Sequence, residues 1–201
     1  MKIKYRNLQK MFGVLFVMIG LSGFVQSQPL SKGSIAPTFS SEATRAGKEF
    51  HFSMKDAIAK GPVVVYFFPS AYTGGCDLEA HTFATLIDKF KEAGTTVIGI
   101  SADDIQRLNS FSADPDFCAG TFPIASDPDG EIAAEFGLKM AAARLGAKDV
   151  RGIEITHGFI PRTTFVINKN GKVETVFSSA TDGISPDEHV KKSLAIVQQL
   201  K

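Results

Sequence analysis

Cysteine, metal-ligand clusters and phosphate-binding loops are scarce or missing in this chain of 201 residues. It has two cysteines, Cys76 and Cys118, and a domain of this size buries a sufficient core without disulfides, so they are not needed as a scaffold. The histidines show no metal-ligand spacing, and no glycine-rich phosphate loop is present. We therefore expect neither a metal ion nor a cofactor.

An excess of positive charge is also missing outside the N-terminus. The chain carries a net charge of +1, but residues 1–27 contain four basic residues and no acidic ones, which leaves −3 for the remainder. A mildly acidic body offers no basic surface stripe for phosphate contacts, which argues against nucleic-acid binding. The positive charge instead belongs to a targeting segment.

The N-terminal segment has the pattern of a secretory signal peptide. Its basic residues precede an apolar run from Met11 to Val25, whose 15 residues are too few for a membrane span of roughly 20. Val25 and Ser27 fit the −3 and −1 positions of a cleavage site after about Ser27. We expect export, most simply to the periplasm. The alternative is an uncleaved anchor helix, which would be the only membrane attachment.

The rest of the chain is predicted to form one domain. Residues 28–42 are polar and punctuated by proline and glycine, which indicates a surface lead-in to a domain over residues 43–201. Continuous β-branched and aromatic runs at 62–68 and 95–101 predict buried strands. An apolar repeat of helical period predicts a helix over 77–93 between them. This order is typical of parallel strands.

The second half of the domain predicts a change of strand direction. A helix over 103–114 and a short strand over 122–126 continue the alternation, but the runs 163–167 and 173–177 are joined by a loop with an Asn-Gly pair. That loop predicts an antiparallel hairpin, and a capping box at Ser185 begins the last helix. The fold class is therefore α/β: a thioredoxin-like fold with a central mixed sheet flanked by helices.

Cys76 is the strongest candidate for a reactive residue. It comes just after the first core strand, in the first turn of the long helix. Free backbone N–H groups and the positive helix end favour an anion there, so we expect this thiol to lose its proton more easily than an ordinary cysteine. A thiolate attacks the O–O bond of a peroxide and becomes a sulfenic acid. Taken alone, the position is also compatible with a buried, inert thiol.

The surrounding sequence resembles the peroxiredoxin active-site motif Pro-x-x-x-Thr/Ser-x-x-Cys, with Pro69, Thr73 and Cys76 in its places. Further segments resemble the same family in the same order, from about Gly33 to the C-terminal helix. They are GSIAPTF at 33–39, GPVVVYFFP at 61–69, CDLEAHTF at 76–83, FPIASDPDG at 122–130 and RTTFVI at 162–167. The resemblance is strongest to the bacterioferritin-comigratory type. It implies a thiol-dependent peroxidase that reduces hydrogen peroxide, organic hydroperoxides or both.

The same resemblance implies a role for each site residue. Cys76 would be the peroxidatic nucleophile, Thr73 would position the peroxide, and Pro69 would shield the thiolate from water. Arg162 would stabilise the thiolate and the charge that develops on the peroxide oxygen, while Glu79 would hold Arg162. The alternative for Glu79 is an ordinary carboxylate in a first helical turn, and for Arg162 a surface cation at a strand edge.

Regeneration of the thiol points to Cys118. Some members of the bacterioferritin-comigratory type carry a resolving cysteine five residues after the first, but His81 occupies that position, and no cysteine lies near the C-terminus. The resemblance implies an intramolecular Cys76–Cys118 disulfide, formed in each turnover and reduced by a thioredoxin-like partner. The alternatives are a one-Cys peroxidase, with Cys118 a buried bystander, and a permanent structural bridge. The enzyme would act as a monomer or a homodimer.

Two other classes of function were compared with this hypothesis. A thiol–disulfide oxidoreductase would use Cys-x-x-Cys, but Thr73 occupies the first position. A non-catalytic binding module would have lost at least one motif residue, and all are present. The remaining polar residues are interpreted as structural. They are the scattered His51, His81, His157 and His189, and the pair Asp103–Asp104 at a helix start.

Overall fold

The computed structural model describes residues 28–200 of the chain. The predicted signal peptide, residues 1–27, lies outside these described residues. Between residues 28 and 200, no helix combines the length and the apolar character that crossing a membrane requires.

A single seven-stranded mixed sheet forms the centre of the domain, in the order β2-β1-β5-β4-β3-β6-β7. The strands are β1 Ser40–Arg45, β2 Lys48–Ser53, β3 Val63–Phe67, β4 Thr96–Ser101, β5 Ile124–Ser126, β6 Thr163–Ile167 and β7 Val173–Ser178. The helices are α1 Met54–Lys60, α2 Gly74–Glu92, α3 Ile105–Ala113, α4 Glu131–Glu135, α5 Ser179–Asp182 and α6 Pro186–Gln199.

Strand direction follows the predicted pattern. β3, β4 and β5 are parallel, with α2 and α3 as the crossover helices. β6 runs antiparallel to β3, and β7 runs antiparallel to β6 through the Asn-Gly turn, where Gly171 has a φ of +73°. The capping box of Ser185 and Glu188 is present at the start of α6. The prediction of a central mixed sheet flanked by helices is therefore confirmed.

Both faces of the sheet are covered by hydrophobic cores. Alternate residues of β3 point to opposite faces, and all five are buried, which explains why the strand reads as an unbroken apolar run. One core packs against α1 and α4, and the other packs against α2, α3 and α6. The second core contains both Cys76 and Cys118.

The predicted surface lead-in is wrong in its second half. Ala36 and Phe39 are buried in the first core, and the chain enters β1 at Ser40. β1 pairs with β2 in a hairpin and with β5, so it extends the sheet by two antiparallel strands. These strands are polar, and in β2 only Phe52 is buried, so no hydrophobic pattern predicted them.

Tyr66 depends on a glycine in the neighbouring strand. Tyr66 on β3 is the register partner of Gly99 on β4, and a Cβ atom at Gly99 would lie 2.6 Å from the Tyr66 Cζ atom. The ring therefore occupies the space that a side chain at position 99 would need. It stacks on Phe83 of α2 at a centroid distance of 4.5 Å. Its hydroxyl is buried without a hydrogen-bond partner among residues 28–200.

Candidate active site

Cys76 lies in the first turn of α2, at the carboxyl end of β3. Residues 68–73 join the two elements, and Thr73 is the N-cap residue with an extended backbone. The Cys76 backbone N–H donates to the Thr73 carbonyl oxygen at 2.7 Å. α2 begins at Gly74, earlier than predicted, so the sulfur belongs to the turn where free N–H groups and the helix dipole favour an anion.

Arg162 reaches Cys76 from the neighbouring strand, at the edge of the sheet where β3 ends. It directly precedes β6, and its Nη2 atom lies 3.1 Å from the Cys76 Sγ atom. The Arg162 side chain is only 10% exposed, so this cation is held in a largely dry site. A Cβ atom on Gly75 would approach Nη2 to 3.1 Å, so the glycine leaves the room that the guanidinium occupies. The structure thus brings together the two residues that the motif implies.

Glu79 lies one turn further along α2 and is completely buried. Arg162 Nη1 donates a hydrogen bond to its Oε2 atom, while Oε1 has no partner in the described part of the chain. Burial raises the pKa of Glu79 to about 8, although the Arg162 guanidinium and its hydrogen bond oppose this shift. Because Glu79 binds one arm of the guanidinium, the other arm is directed to the sulfur.

The prediction that Cys76 ionises more easily than an ordinary cysteine does not agree with its surroundings in the folded structure. The residue is only 2% exposed, and burial raises its pKa above the ordinary value. The Arg162 charge and hydrogen bonds from the Thr73 side chain and the Ser70 backbone lower the pKa but do not overcome burial. The sequence shows the helix terminus, whereas the cost of desolvating the sulfur appears only in the folded structure.

Thr73 and Pro69 frame the turn that precedes Cys76, and both are half-buried. The Thr73 hydroxyl donates to the Ser70 carbonyl oxygen at 2.8 Å. A hydroxyl has one proton and two lone pairs, so it donates either to this carbonyl or to the sulfur, and it still accepts from a bound ligand. Pro69 lies two residues after the end of β3 and begins the turn.

Comparison with known proteins identifies this arrangement. Residues 33–176, well over half of the chain, match the AhpC/TSA family. The chain belongs to that family. Peroxiredoxin Q from the chloroplast of Sedum lineare is 31% identical over 185 residues, covering 87% of both chains. The predicted class of enzyme is confirmed: this AhpC/TSA protein is a peroxiredoxin, a thiol-dependent peroxidase.

Solved structures confirm the thioredoxin-like fold of this peroxiredoxin. The crystal structure of peroxidoxin BcpB from Mycobacterium tuberculosis matches with a TM-score of 0.70 and 30% identity, over 86% of this chain and 99% of that one. The bacterioferritin comigratory protein of Xanthomonas campestris matches with a TM-score of 0.60 and 25% identity, over 79% and 90% of the two chains.

Cys118 of this peroxiredoxin is a second free, buried thiol. It follows α3, and burial, together with the charges of Asp114 and Asp77, raises its pKa well above the ordinary value. Its neighbour Phe117 contacts Tyr72 of the active-site turn, with the ring centroids 5.5 Å apart. The two cysteine-bearing segments are therefore adjacent in the second core, and both thiols are reduced.

The segment around Cys118 is bound to the end of α3 by backbone hydrogen bonds and packs through Phe117 against Phe111 and Tyr72. Ala119 and Gly120 adopt left-handed φ angles of +48° and +67°, a conformation that is unfavourable for alanine. His81 on α2 binds the segment through its Nδ1 atom, 3.0 Å from the Asp116 carbonyl oxygen. This histidine, interpreted from sequence as structural, therefore links the helix of Cys76 to the segment of Cys118.

Sequence reasoning missed a buried carboxylate beneath the active-site turn. Asp104 is the N-cap of α3, as predicted for the acidic pair, but Asp103 points inward and is fully buried. Asp103 accepts hydrogen bonds from the Ala71 backbone and the Ser70 hydroxyl, and its Oδ1 atom lies 2.8 Å from His157 Nε2. The available signal was its place just after a buried parallel strand, at the edge where β3 also ends.

The other histidines conform to the structural interpretation. His51 is exposed on β2. His189 on α6 is fully buried, and its two ring nitrogens lie 2.9 Å from the hydroxyl oxygens of Thr164 and Ser179. Between residues 28 and 200, no cluster of three or more histidine, cysteine, aspartate or glutamate side chains is arranged to hold a metal ion.

Proposed function

We propose that this peroxiredoxin reduces peroxides through nucleophilic attack by Cys76. The observation that carries the proposal is the 3.1 Å contact between Arg162 Nη2 and Cys76 Sγ in the first turn of α2. A fixed guanidinium at this place stabilises the thiolate and the negative charge that develops on the departing oxygen. Thr73, whose hydroxyl both donates and accepts, positions the peroxide, and Pro69 limits the access of water to the sulfur.

The first step is a displacement at oxygen. The Cys76 thiolate attacks one peroxide oxygen, an S–O bond forms, and the O–O bond breaks. The leaving oxygen departs as hydroxide or alkoxide and takes up a proton to become water or an alcohol. Cys76 becomes a sulfenic acid, and the peroxide has accepted two electrons. Burial raises the pKa of Cys76 because the thiolate lacks solvation there. In this proposal the polar peroxide, bound beside Arg162, supplies part of that solvation as the thiol ionises.

Cys118 completes the cycle in this proposal. Its thiol attacks the sulfenic sulfur, which releases water and forms a Cys76–Cys118 disulfide. Contact between Tyr72 and Phe117 supports this pairing, because it places the two segments side by side. Both thiols are buried, so the segment after α3 has to leave its present position, and the left-handed Ala119 favours such a movement.

The reductant, the compartment and the substrate range are inferred from the sequence and from relatives. A thioredoxin-like dithiol protein would reduce the disulfide and return both cysteines to thiols. The basic and apolar segment before residue 28 supports export to the periplasm with cleavage near Ser27. The Xanthomonas campestris relative is described as having alkyl peroxide reduction activity, which supports organic hydroperoxides as substrates beside hydrogen peroxide.

Rapid mixing of the reduced protein with hydrogen peroxide and an alkyl hydroperoxide tests the proposal. We expect fast peroxide consumption that is abolished in Cys76→Ser and retained for one turnover in Cys118→Ser. Mass spectrometry of the oxidised wild type should show one chain that has lost two hydrogens and both free thiols. A free Cys118 thiol after oxidation would refute the resolving role and favour a one-Cys enzyme, whereas only slow oxidation would refute the peroxidase function.

A further inference from the structure

A group of charged side chains, of which the two aspartates are buried, contacts the active-site turn. We call it the clamp, and its members are Asp103, Arg107, Asp149, Arg151 and His157. They come from the end of β4, from α3 and from the long connection between α4 and β6. The comparisons with known proteins assign no role to these residues.

Asp103 is the centre of the clamp. The backbone N–H of Ala71 donates to its Oδ2 atom at 2.7 Å, and the Ser70 hydroxyl donates to Oδ1 at 2.9 Å. Ser70 also accepts the hydrogen bond of Thr73 through its carbonyl oxygen. The position of the Thr73 hydroxyl, and with it the space beside Cys76, therefore depends on Asp103.

The arginines bind the rest of the turn. Arg107 Nη2 donates to the Ala71 carbonyl oxygen at 2.8 Å, and its Nε atom lies 2.7 Å from Asp103 Oδ1. Asp149 holds both arginines, with Nη2 distances of 2.9 Å to Arg107 and 2.7 Å to Arg151. The Arg151 guanidinium in turn covers the Tyr72 ring at 3.3 Å from its centroid.

His157 is the only member whose charge changes near neutral pH. Its Nε2 atom lies 2.8 Å from Asp103 Oδ1, and its Nδ1 atom lies 2.7 Å from the Gly158 carbonyl oxygen. Both partners are acceptors, so both nitrogens must carry a proton for both contacts to be hydrogen bonds. The geometry therefore fits an imidazolium. The charges of the two arginines and the two aspartates of the clamp cancel. The net charge of the clamp therefore depends on whether His157 is protonated.

His157 also lies close in sequence to Arg162, which follows it by five residues. Between them, Phe159 forms a backbone bridge with Ala141, and Ile160 is buried. The His157 ring is thus linked through Asp103 to the turn that carries Thr73. The same residue begins the segment that ends at Arg162. The active-site turn and the segment that leads to Arg162 are therefore both bound to the same carboxylate, Asp103.

We propose that His157 is a positioning residue: as an imidazolium bound to Asp103 and Gly158, it holds the active-site turn and the Arg162 segment in the arrangement that Cys76 needs. The inference rests on the proposed function for its effect on peroxide reduction. It assigns His157 no contact with the peroxide or with the sulfur. Loss of the imidazolium proton removes one of the two hydrogen bonds and loosens both segments together.

The direction of the pH dependence follows from the groups around the ring. Burial lowers the pKa of His157, and the charge of Arg107 lowers it further. The hydrogen bond and charge of Asp103 and the Gly158 carbonyl raise it, and the net shift is upward. A raised histidine pKa means that the contact is intact below the ordinary value and is lost as the pH rises through the folded-state value. Peroxide reduction should therefore fall on the alkaline side, where thiolate formation alone would raise it.

The test compares the pH profiles of the full-length wild type, His157→Gln and the control His51→Gln, whose histidine is exposed on β2. The rate constants of Cys76 with hydrogen peroxide and with iodoacetamide are measured from pH 6 to 9. We expect His157→Gln to be about tenfold slower at pH 6, the loss of one charge-assisted hydrogen bond, and to lack the alkaline decline. The control should follow the wild type.

Parallel profiles for wild type and His157→Gln would overturn the proposal even if the protein is an active peroxidase. Slow peroxide reaction of the wild type would refute the proposed function instead, and the iodoacetamide profile would still test His157. Titration of the His157 ring protons by NMR in the wild type needs no variant. A pKa at or below the ordinary histidine value would also overturn the proposal.

Discussion

Replacing Arg162 by methionine should slow the peroxide reaction of Cys76 by at least tenfold. The substitution is best made together with Glu79→Gln, because Arg162→Met alone would leave a buried carboxylate without its partner. Glu79→Gln alone is the matched control, since it keeps the cation beside the sulfur. Both proteins should carry Cys118→Ser so that a single thiol titrates.

The magnitude follows from one contact. Arg162 Nη2 lies 3.1 Å from Cys76 Sγ, and a hydrogen bond to a charged group contributes about 1.5–3 kcal/mol. Since about 1.4 kcal/mol corresponds to a factor of ten, the thiolate fraction at fixed neutral pH should fall by roughly 10- to 100-fold. The pKa of Cys76, which burial already raises, should rise further, because the Arg162 charge is the largest influence that lowers it.

Two measurements check this reasoning. The ultraviolet absorbance of the thiolate as a function of pH gives the pKa of Cys76, and rapid mixing with hydrogen peroxide gives the rate constant. The rate at high pH, where all proteins are ionised, isolates the effect of Arg162 on the transition state. An unchanged Cys76 pKa in the double variant would show that the contact does not stabilise the thiolate, and the argument from geometry would fail.

Three further outcomes are expected. Tyr66→Phe removes a buried hydroxyl that has no hydrogen-bond partner in the described structure. It should raise the free energy of unfolding, measured in urea, by about 1–3 kcal/mol. A loss of stability would mean that the hydroxyl does form a hydrogen bond. Burial lowers the pKa of His189 from 6.5 to about 4, so the unfolded chain takes up this proton before the folded one does. Acidification from pH 6.5 to pH 4 should therefore lower the free energy of unfolding by about 3 kcal/mol. An unfolding midpoint that does not change in that pH range would contradict this expectation. Gly61→Ala places a methyl group against the Gly94 carbonyl oxygen and should lower the melting temperature, whereas Gly74→Ala, which meets no neighbouring atom, serves as its control.

The parts of the fold that sequence predicted are those with a strong local pattern. β3 lies inside the sheet, between β4 and β6, and both of its faces are buried, so its residues form a continuous apolar run. The Asn-Gly turn and the Ser185 capping box each require particular residues at fixed positions. β1 and β2 have no such pattern, because the outer strands keep most of their side chains in water.

In the candidate site, too, the residues with a local sequence pattern were predicted and the others were not. Cys76, Thr73 and Pro69 form one contiguous motif, so a local resemblance was enough to find them. Asp103 and His157 meet across 54 residues of sequence. The place of Asp103 just after a buried parallel strand is its one signal, and His157 has no local signal that distinguishes it from a surface residue. The pKa of Cys76 was predicted in the wrong direction because desolvation depends on how deeply the whole fold buries the sulfur.

The fit of Tyr66 over Gly99 has an evolutionary consequence. Any side chain at position 99 would collide with the ring, so a mutation there can be fixed only after, or together with, a smaller residue at position 66. The reverse order is open, because losing the ring leaves a cavity, not a clash. Lineages that change this pair should therefore pass through a substitution at Tyr66 first, and the two positions should covary among homologues.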